Sequence, residues 1–205
     1  MIEIHDNVIR PDLANELEQY AFSSSTPWNI DNYATVNTED NGKFLDPNIV
    51  EFVQFRISVK FQGEIINPRA YELTNKFLRQ VGRTGHTFAE PYRIKFNLLP
   101  RVEKFKDLQY NTPHIDSNLD HYVVLYYLND CDGLTYIFEQ TSDKVPWEKA
   151  NRIKQYKIKE IIEPKKGRFV IFDGKYYHTS SHPVNSPLRA VININIEKSL
   201  SMINK

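Results

Sequence analysis

From about residue 88 the chain is a succession of short β-branched and aromatic runs: "YRIKFNLL", "YVVLYYLN", "LTYIFEQ", "YKIKEII", "GRFVIFDG" and "RAVININIE". Turn-forming residues separate them, so each reads as a short strand. Two helix-period stretches precede them. In "RPDLANELEQYAF", Pro11 suits a first turn, Asp12 and Glu16 favour the positive end, and Leu13, Leu17 and Tyr20 share a face. In "NPRAYELTNKFLRQVG", Asn67 can cap, Pro68 follows it, Tyr71, Leu73, Phe77 and Leu78 form an apolar stripe, and Gly82 ends the pattern. Residues 1–9 read as a short strand, 23–48 as a polar loop, and "DPNIVEFVQF" as either helix or strand. Helices followed by many strands predict a mainly β fold with supporting α: a strand barrel or sandwich backed by N-terminal helices. The 205 residues show no internal repeat and no linker, which predicts a single domain over 1–205.

Charge and cysteine usage narrow the setting. Lysine plus arginine and aspartate plus glutamate balance at 26 each, so no global charge draws the chain to nucleic acid. Cys131 is the only cysteine, so no internal disulfide can form, and a reducing, cytoplasmic compartment is expected. The opening "MIEIHDNVIRPDLANELEQY" has early acids and no long apolar stretch, so neither a signal peptide nor a membrane span is expected there.

The parity of "RAVININI" puts Ala190, Ile192, Ile194 and Ile196 on one face and Arg189, Val191, Asn193 and Asn195 on the other. The apolar face suits packing on helices. The polar face fits either a ligand cavity inside a barrel or plain exposure to solvent, and parity alone favours solvent.

Chemistry-bearing residues come in three groups. In "TPHIDSN", His114 and Asp116 lie two apart, so in an extended chain both side chains point the same way and can meet one metal. In "KYYHTSSHPV", His178 and His182 are each a possible third ligand, or a helical clip of their own. Two histidines and a carboxylate with open positions form the facial triad of non-haem iron oxygenases. Arg189 follows on the next strand, where a guanidinium can grip an organic acid with paired hydrogen bonds or sit in a surface salt bridge.

Taken in order, "HID", "YYLND" with "DGLTYIF", "PKKGRFVIFDGKYYH" and "HPVNSPLRAVININI" resemble the iron(II)- and 2-oxoglutarate-dependent dioxygenases, in particular prolyl-hydroxylase-like and small phage-type members. The resemblance covers roughly residues 88–197. It implies a double-stranded β-helix (jelly-roll, cupin-like) over 88–197 with helical support from 1–87. It implies His114, Asp116 and His178 as metal ligands, with His182 a bystander facing the rim or solvent. It implies Arg189 and Tyr127 at the distal carboxylate of 2-oxoglutarate, with Asn97 and Asn193 as further co-substrate contacts. This sequence departs from the family at Asp132, where the usual "GGxT" turn has its first glycine, and in "QTSDKVPWEKANRIKQYKIK", which looks like an insertion.

The implied activity is hydroxylation of a C–H bond on a protein side chain, prolyl among them, or on a small molecule. Iron(II), 2-oxoglutarate and dioxygen are the expected cofactors, ascorbate an accessory reductant, and succinate and carbon dioxide the co-products. Nucleic acid is disfavoured as substrate, since base demethylases of the family carry a second arginine where Asn195 stands. Loops 34–48 and 102–113 are candidate lids. His5, His86 and His121 are expected to be structural or exposed, and Cys131 is not expected to act as a nucleophile. The competing classes are a non-catalytic jelly-roll binding module and a zinc hydrolase using the same three ligands.

Overall fold

Strand pairing follows the alternation of the C-terminal half. In the computed structural model, which describes residues 1–31, 44–103, 105 and 108–198, the large sheet holds β1 (Ile2–His5), β2 (Asn29–Asp31), β3 (Gln54–Phe61), β4 (Glu64–Ile65), β5 (Arg93–Pro100), β6 (His121–Tyr127), β9 (Phe169–Asp173) and β11 (Leu188–Glu197). Its order is β1-β9-β6-β11-β5-β3-β2, with β4 also on β3. The small sheet is β10 (Tyr176–Ser180), β7 (Thr135–Thr141) and β8 (Ile158–Ile162). Every pairing between these strands is antiparallel. The two sheets form a double-stranded β-helix with α1 (Pro11–Phe22) and α2 (Pro68–Val81) on the outside of the large sheet.

The helices form for the reasons read in the sequence. Asn67 Oδ1 accepts from Ala70 N at 3.0 Å, Pro68 occupies the first turn, and Leu73 and Phe77 are fully buried. Ala190, Ile192, Ile194 and Ile196 of β11 pack beneath both helices. Burying each such isoleucine contributes about 1.5–3 kcal/mol relative to exposure.

The opposite face of the large sheet turns inward, and its composition changes across the sheet. Over β6 and β9 it is apolar: Val123, Leu125, Tyr127, Val170 and Phe172 pack with Ile137 and Ile162 of the small sheet. Over β11, β5 and β3 it is polar, with Arg189, Asn193, Asn97, Lys95, Arg93 and Arg56 facing a cavity. The polar face of β11 therefore meets a ligand cavity rather than solvent: Arg189, Asn193 and Asn195 are 3%, 6% and 0% exposed.

The inserted stretch forms the end of β7, a 3-10 turn over Trp147–Arg152 and the lead into β8. Trp147, Ala150 and Tyr156 close over Tyr136, Phe138 and Tyr177 on the outside of the small sheet. Of the two expected lids, residues 34–43 lie outside the described residues, as do 104, 106 and 107. The end of the second is no lid. Tyr110, Asn111 and Thr112 are buried, and Asn111 N donates to Ser180 O at 2.9 Å. No helix of the described residues is long and apolar enough to cross a membrane.

Candidate metal centre

Main-chain pairing brings two histidines together. Residues 110–114 run beside β10, where His114 and His178 exchange both backbone hydrogen bonds at 3.0 Å. In such a pair the two side chains stand on one face of the sheet. Ile115 turns away to the aromatic cluster on the outside, and Asp116 returns to the histidines' side. The result is a compact set: Asp116 Oδ1 lies 3.8 Å from His114 Nε2, Asp116 Oδ2 lies 3.6 Å from His178 Nε2, and the three donor atoms fall within 4.8 Å of one another.

Each ring is fixed through its other nitrogen. Nδ1 of His114 lies 3.2 Å from Thr112 O, and Nδ1 of His178 lies 3.0 Å from Tyr176 O. A proton on Nδ1 satisfies each carbonyl and leaves the Nε2 lone pair pointing into the cavity. Burial, reinforced by the neighbouring His178, pushes His114 down to about 3, so it stays neutral. Burial opposes ionisation of Asp116, but Arg93 and the two histidines outweigh it and hold the carboxyl well below the usual range. Arg93 Nη1 donates to Asp116 Oδ1 at 2.8 Å, while Asn193 and Asn195 donate to Oδ2 at 3.0 and 2.9 Å. Two imidazoles and one oriented carboxylate suit a divalent metal, and His178 Nε2 is buried with no hydrogen-bond partner among the described residues.

Arg189 stands at the other end of the cavity, whose volume is about 240 Å³. Its Nε donates to Gly133 O at 3.0 Å and its Nη2 to Thr135 Oγ1 at 2.6 Å. Among the described residues no carboxylate lies within ion-pair distance of it. Gly133 is required here: a Cβ would come within 2.9 Å of Pro183 N and Ser181 O and 3.0 Å of Arg189 Cδ. Asp132 beside it accepts from the backbone of Val184, Asn185 and Ser186, so the departure from a double glycine fastens the turn leading to β11.

The other expected residues lie as follows. Tyr127 is fully buried and donates to Thr135 Oγ1 at 2.7 Å, with its ring 5.7 Å from the Arg189 guanidinium. Asn97 lines the cavity, its Oδ1 buried without a partner. Asn193 lines it too, but its side chain is engaged with Asp116. His182 does not face the rim or solvent. It is 1% exposed, packed beside Phe52 and Phe105, with Nδ1 2.8 Å from Pro100 O. His86 and His121 are also buried. Cys131 is half-buried, and burial raises its thiol pKa, as expected of an inert cysteine.

Sequence reasoning missed Arg93, Lys95, Thr135 and Arg56. The signal for Arg56 is the alternation in "QFRIS", where Gln54, Arg56 and Ser58 share one face and Phe55 and Ile57 the other, up to a bulge after Ser58 that turns Lys60 towards Tyr71 on the helix side. Arg93, Lys95 and Asn97 repeat that pattern in β5.

No protein-family model matches the chain, and no curated protein matches it. Solved structures do. A 2-oxoglutarate and iron(II) oxygenase-family oxidoreductase from Burkholderia pseudomallei is similar over 95% of this chain and 84% of its own, at 10% identity and a TM-score of 0.60. A prolyl hydroxylase from Trichoplax adhaerens, solved with a hypoxia inducible factor peptide fragment, matches over 97% and 84%, at 12% identity and a TM-score of 0.55. An α-ketoglutarate-dependent epimerase from nogalamycin biosynthesis matches over 96% and 78%, at 9% identity and a TM-score of 0.58. At such identities the likeness shows the fold, and the proteins sharing it include hydroxylases and an epimerase.

Proposed function

We propose that this chain, with the fold of the iron(II)- and 2-oxoglutarate-dependent oxygenases, is itself such an enzyme and hydroxylates a C–H bond. The substrate is a protein side chain, prolyl among them, or a small molecule. The observation that carries this reading is Arg189, a guanidinium buried with no carboxylate in ion-pair distance among the described residues, at one end of a cavity whose other end is His114, Asp116 and His178. Burial makes that charge costly unless a ligand carboxylate arrives, and the distal carboxylate of a metal-chelated 2-oxo acid would supply one.

His114, Asp116 and His178 would hold the iron on one side, leaving positions for co-substrate and dioxygen. Bound iron and 2-oxoglutarate supply the oxidation, with the co-substrate leaving as succinate and carbon dioxide. Arg189 and Thr135 take the distal carboxylate, and Tyr127 steadies Thr135 through its hydroxyl. Asn97 lines the same cavity. Arg93, Asn193 and Asn195 aim the Asp116 carboxylate and keep it ionised. The single cysteine supports a cytosolic setting.

Anaerobic titration of the ferrous protein with 2-oxoglutarate tests the reading. A visible charge-transfer band that grows to one equivalent is expected. Iron binding without that band would leave a metal protein of another class.

A further inference from the structure

The cavity continues past Asp116 into an open groove of about 490 Å³, and the two share Arg56, Arg93, Lys95 and Asp116. Among the described residues, four basic side chains face the cavity, Arg56, Arg93, Lys95 and Arg189, against two carboxylates, Asp31 and Asp116. A divalent metal adds two positive charges and 2-oxoglutarate removes two, so the excess persists in the loaded site. Arg93 is bonded to Asp116, and Arg56 lies 3.2 Å from Asp31 in an ion pair without hydrogen-bond geometry. Arg189 is claimed by the co-substrate. Lys95 makes no hydrogen bond or ion pair among the described residues, although burial, together with Arg93, lowers its pKa to about 8.

The position of Lys95 indicates what it binds. It pairs across the strands with Asn193, whose side chain holds Asp116. Arg189 pairs with Leu99, four residues along β5, roughly 13 Å away along the strand. Lys95 therefore flanks the metal on the groove side, away from the co-substrate anchor. Arg56 sits diagonally across from it on β3, at a Cα spacing of roughly 7–8 Å.

We infer that Lys95, assisted by Arg56, binds the carboxylate of the substrate, and that the substrate is a small acid whose carboxylate lies only a few bonds from the oxidised carbon. The inference rests on the oxygenase reading and narrows its substrate class. The exposed Phe61, Ile66 and Leu119 at the groove offer an apolar surface for the rest of such a molecule.

Calorimetric titration of cobalt-loaded, 2-oxoglutarate-saturated protein with acetate, and with acetamide as the neutral isostere, tests it. Acetate should bind and acetamide should not. Lys95→Met should weaken acetate roughly ten- to hundredfold, far more than it weakens 2-oxoglutarate, and Lys95→Arg should restore it. Equal binding of acetate and acetamide, no acetate binding to the wild type, or no effect of Lys95→Met would overturn the inference. Binding of a single-stranded oligonucleotide through Lys95 in place of acetate would do the same. If 2-oxoglutarate itself fails to bind in the preceding step, the oxygenase reading fails and this inference with it.

A separate cluster carries a second inference. Glu3 and His5 share a face of β1, and His86 reaches them from the loop after α2. His5 Nε2 and His86 Nε2 lie 3.3 and 3.7 Å from Glu3 Oε2, and the three donor atoms fall within 4.8 Å of one another. His86 is 4% exposed, and neither of its ring nitrogens has a hydrogen-bond partner. The geometry points to a zinc-type cation held by two imidazoles, one carboxylate and water, tying the edge strand β1 to that loop. Metal-free protein should take up two zinc equivalents. His178→Ala should remove one and Glu3→Gln the other, and the equivalent left in His178→Ala should raise the melting temperature. One equivalent in the wild type, or two in Glu3→Gln, would overturn it.

Discussion

Arg189→Met should separate co-substrate binding from folding. Two of the guanidinium's N–H groups are engaged by Gly133 and Thr135, leaving others for an incoming carboxylate. Losing a paired grip on that carboxylate removes two charged hydrogen bonds of about 1.5–3 kcal/mol each. The 2-oxoglutarate Kd should therefore rise by roughly two to four powers of ten. The unliganded protein behaves differently. Methionine forfeits the two existing hydrogen bonds but also relieves the burial of an unpaired cation, so stability should stay within about 2 kcal/mol of wild type. Thermal melting of the manganese-loaded protein reads both effects. Co-substrate at a hundred times Kd stabilises the wild type by about 2.7 kcal/mol. For a chain of this size that is a rise of roughly 5–10 °C. The variant should rise by no more than about 1–2 °C at the same concentration. An equal rise in the variant would refute the assignment, and a variant that melts far below wild type without ligand would show that Arg189 is structural.

Arg93→Met leaves Asp116 buried without its cation, and metal affinity should fall roughly 10–100-fold, measured by cobalt titration. His178→Ala should abolish iron binding, whereas His182→Ala should spare it while lowering stability by about 1–3 kcal/mol in urea, because His182 is packed in the interior. Gly133→Ala places a Cβ against backbone atoms and should lower both the melting temperature and 2-oxoglutarate affinity. The metal-free protein should lose stability as pH falls from about 6.5 towards about 3. Over that range the unfolded chain takes a proton on His114 that burial and His178 deny the folded one, and His114→Asn should flatten the slope of urea midpoint against pH.

The strands of the large sheet were legible wherever an apolar run marked them. β3 was not, because its inward face carries Gln54, Arg56 and Ser58, polar residues that read as solvent-exposed until a cavity is known to lie beneath. Arg93 and Lys95 were hidden for the same reason. The cluster of His114, Asp116 and His178 was legible because "HID" is local and His178 follows a recognisable strand. The burial of His182 was not, since it depends on Phe52 and Phe105, which approach from distant parts of the chain. Asp132 looked like a defect in a glycine turn, and only the fold shows it gathering the amides of the turn before β11.

The exchange of backbone hydrogen bonds between His114 and His178 bears on how such a chain can diverge. The spacing of these two donors is set by main-chain pairing, which is indifferent to the side chains packed behind it. A lineage can replace nearly every core residue, one compensated exchange at a time, and carry both imidazoles along as a unit. Under such exchange, sequence comparison would lose the thread while superposition of backbones would keep it.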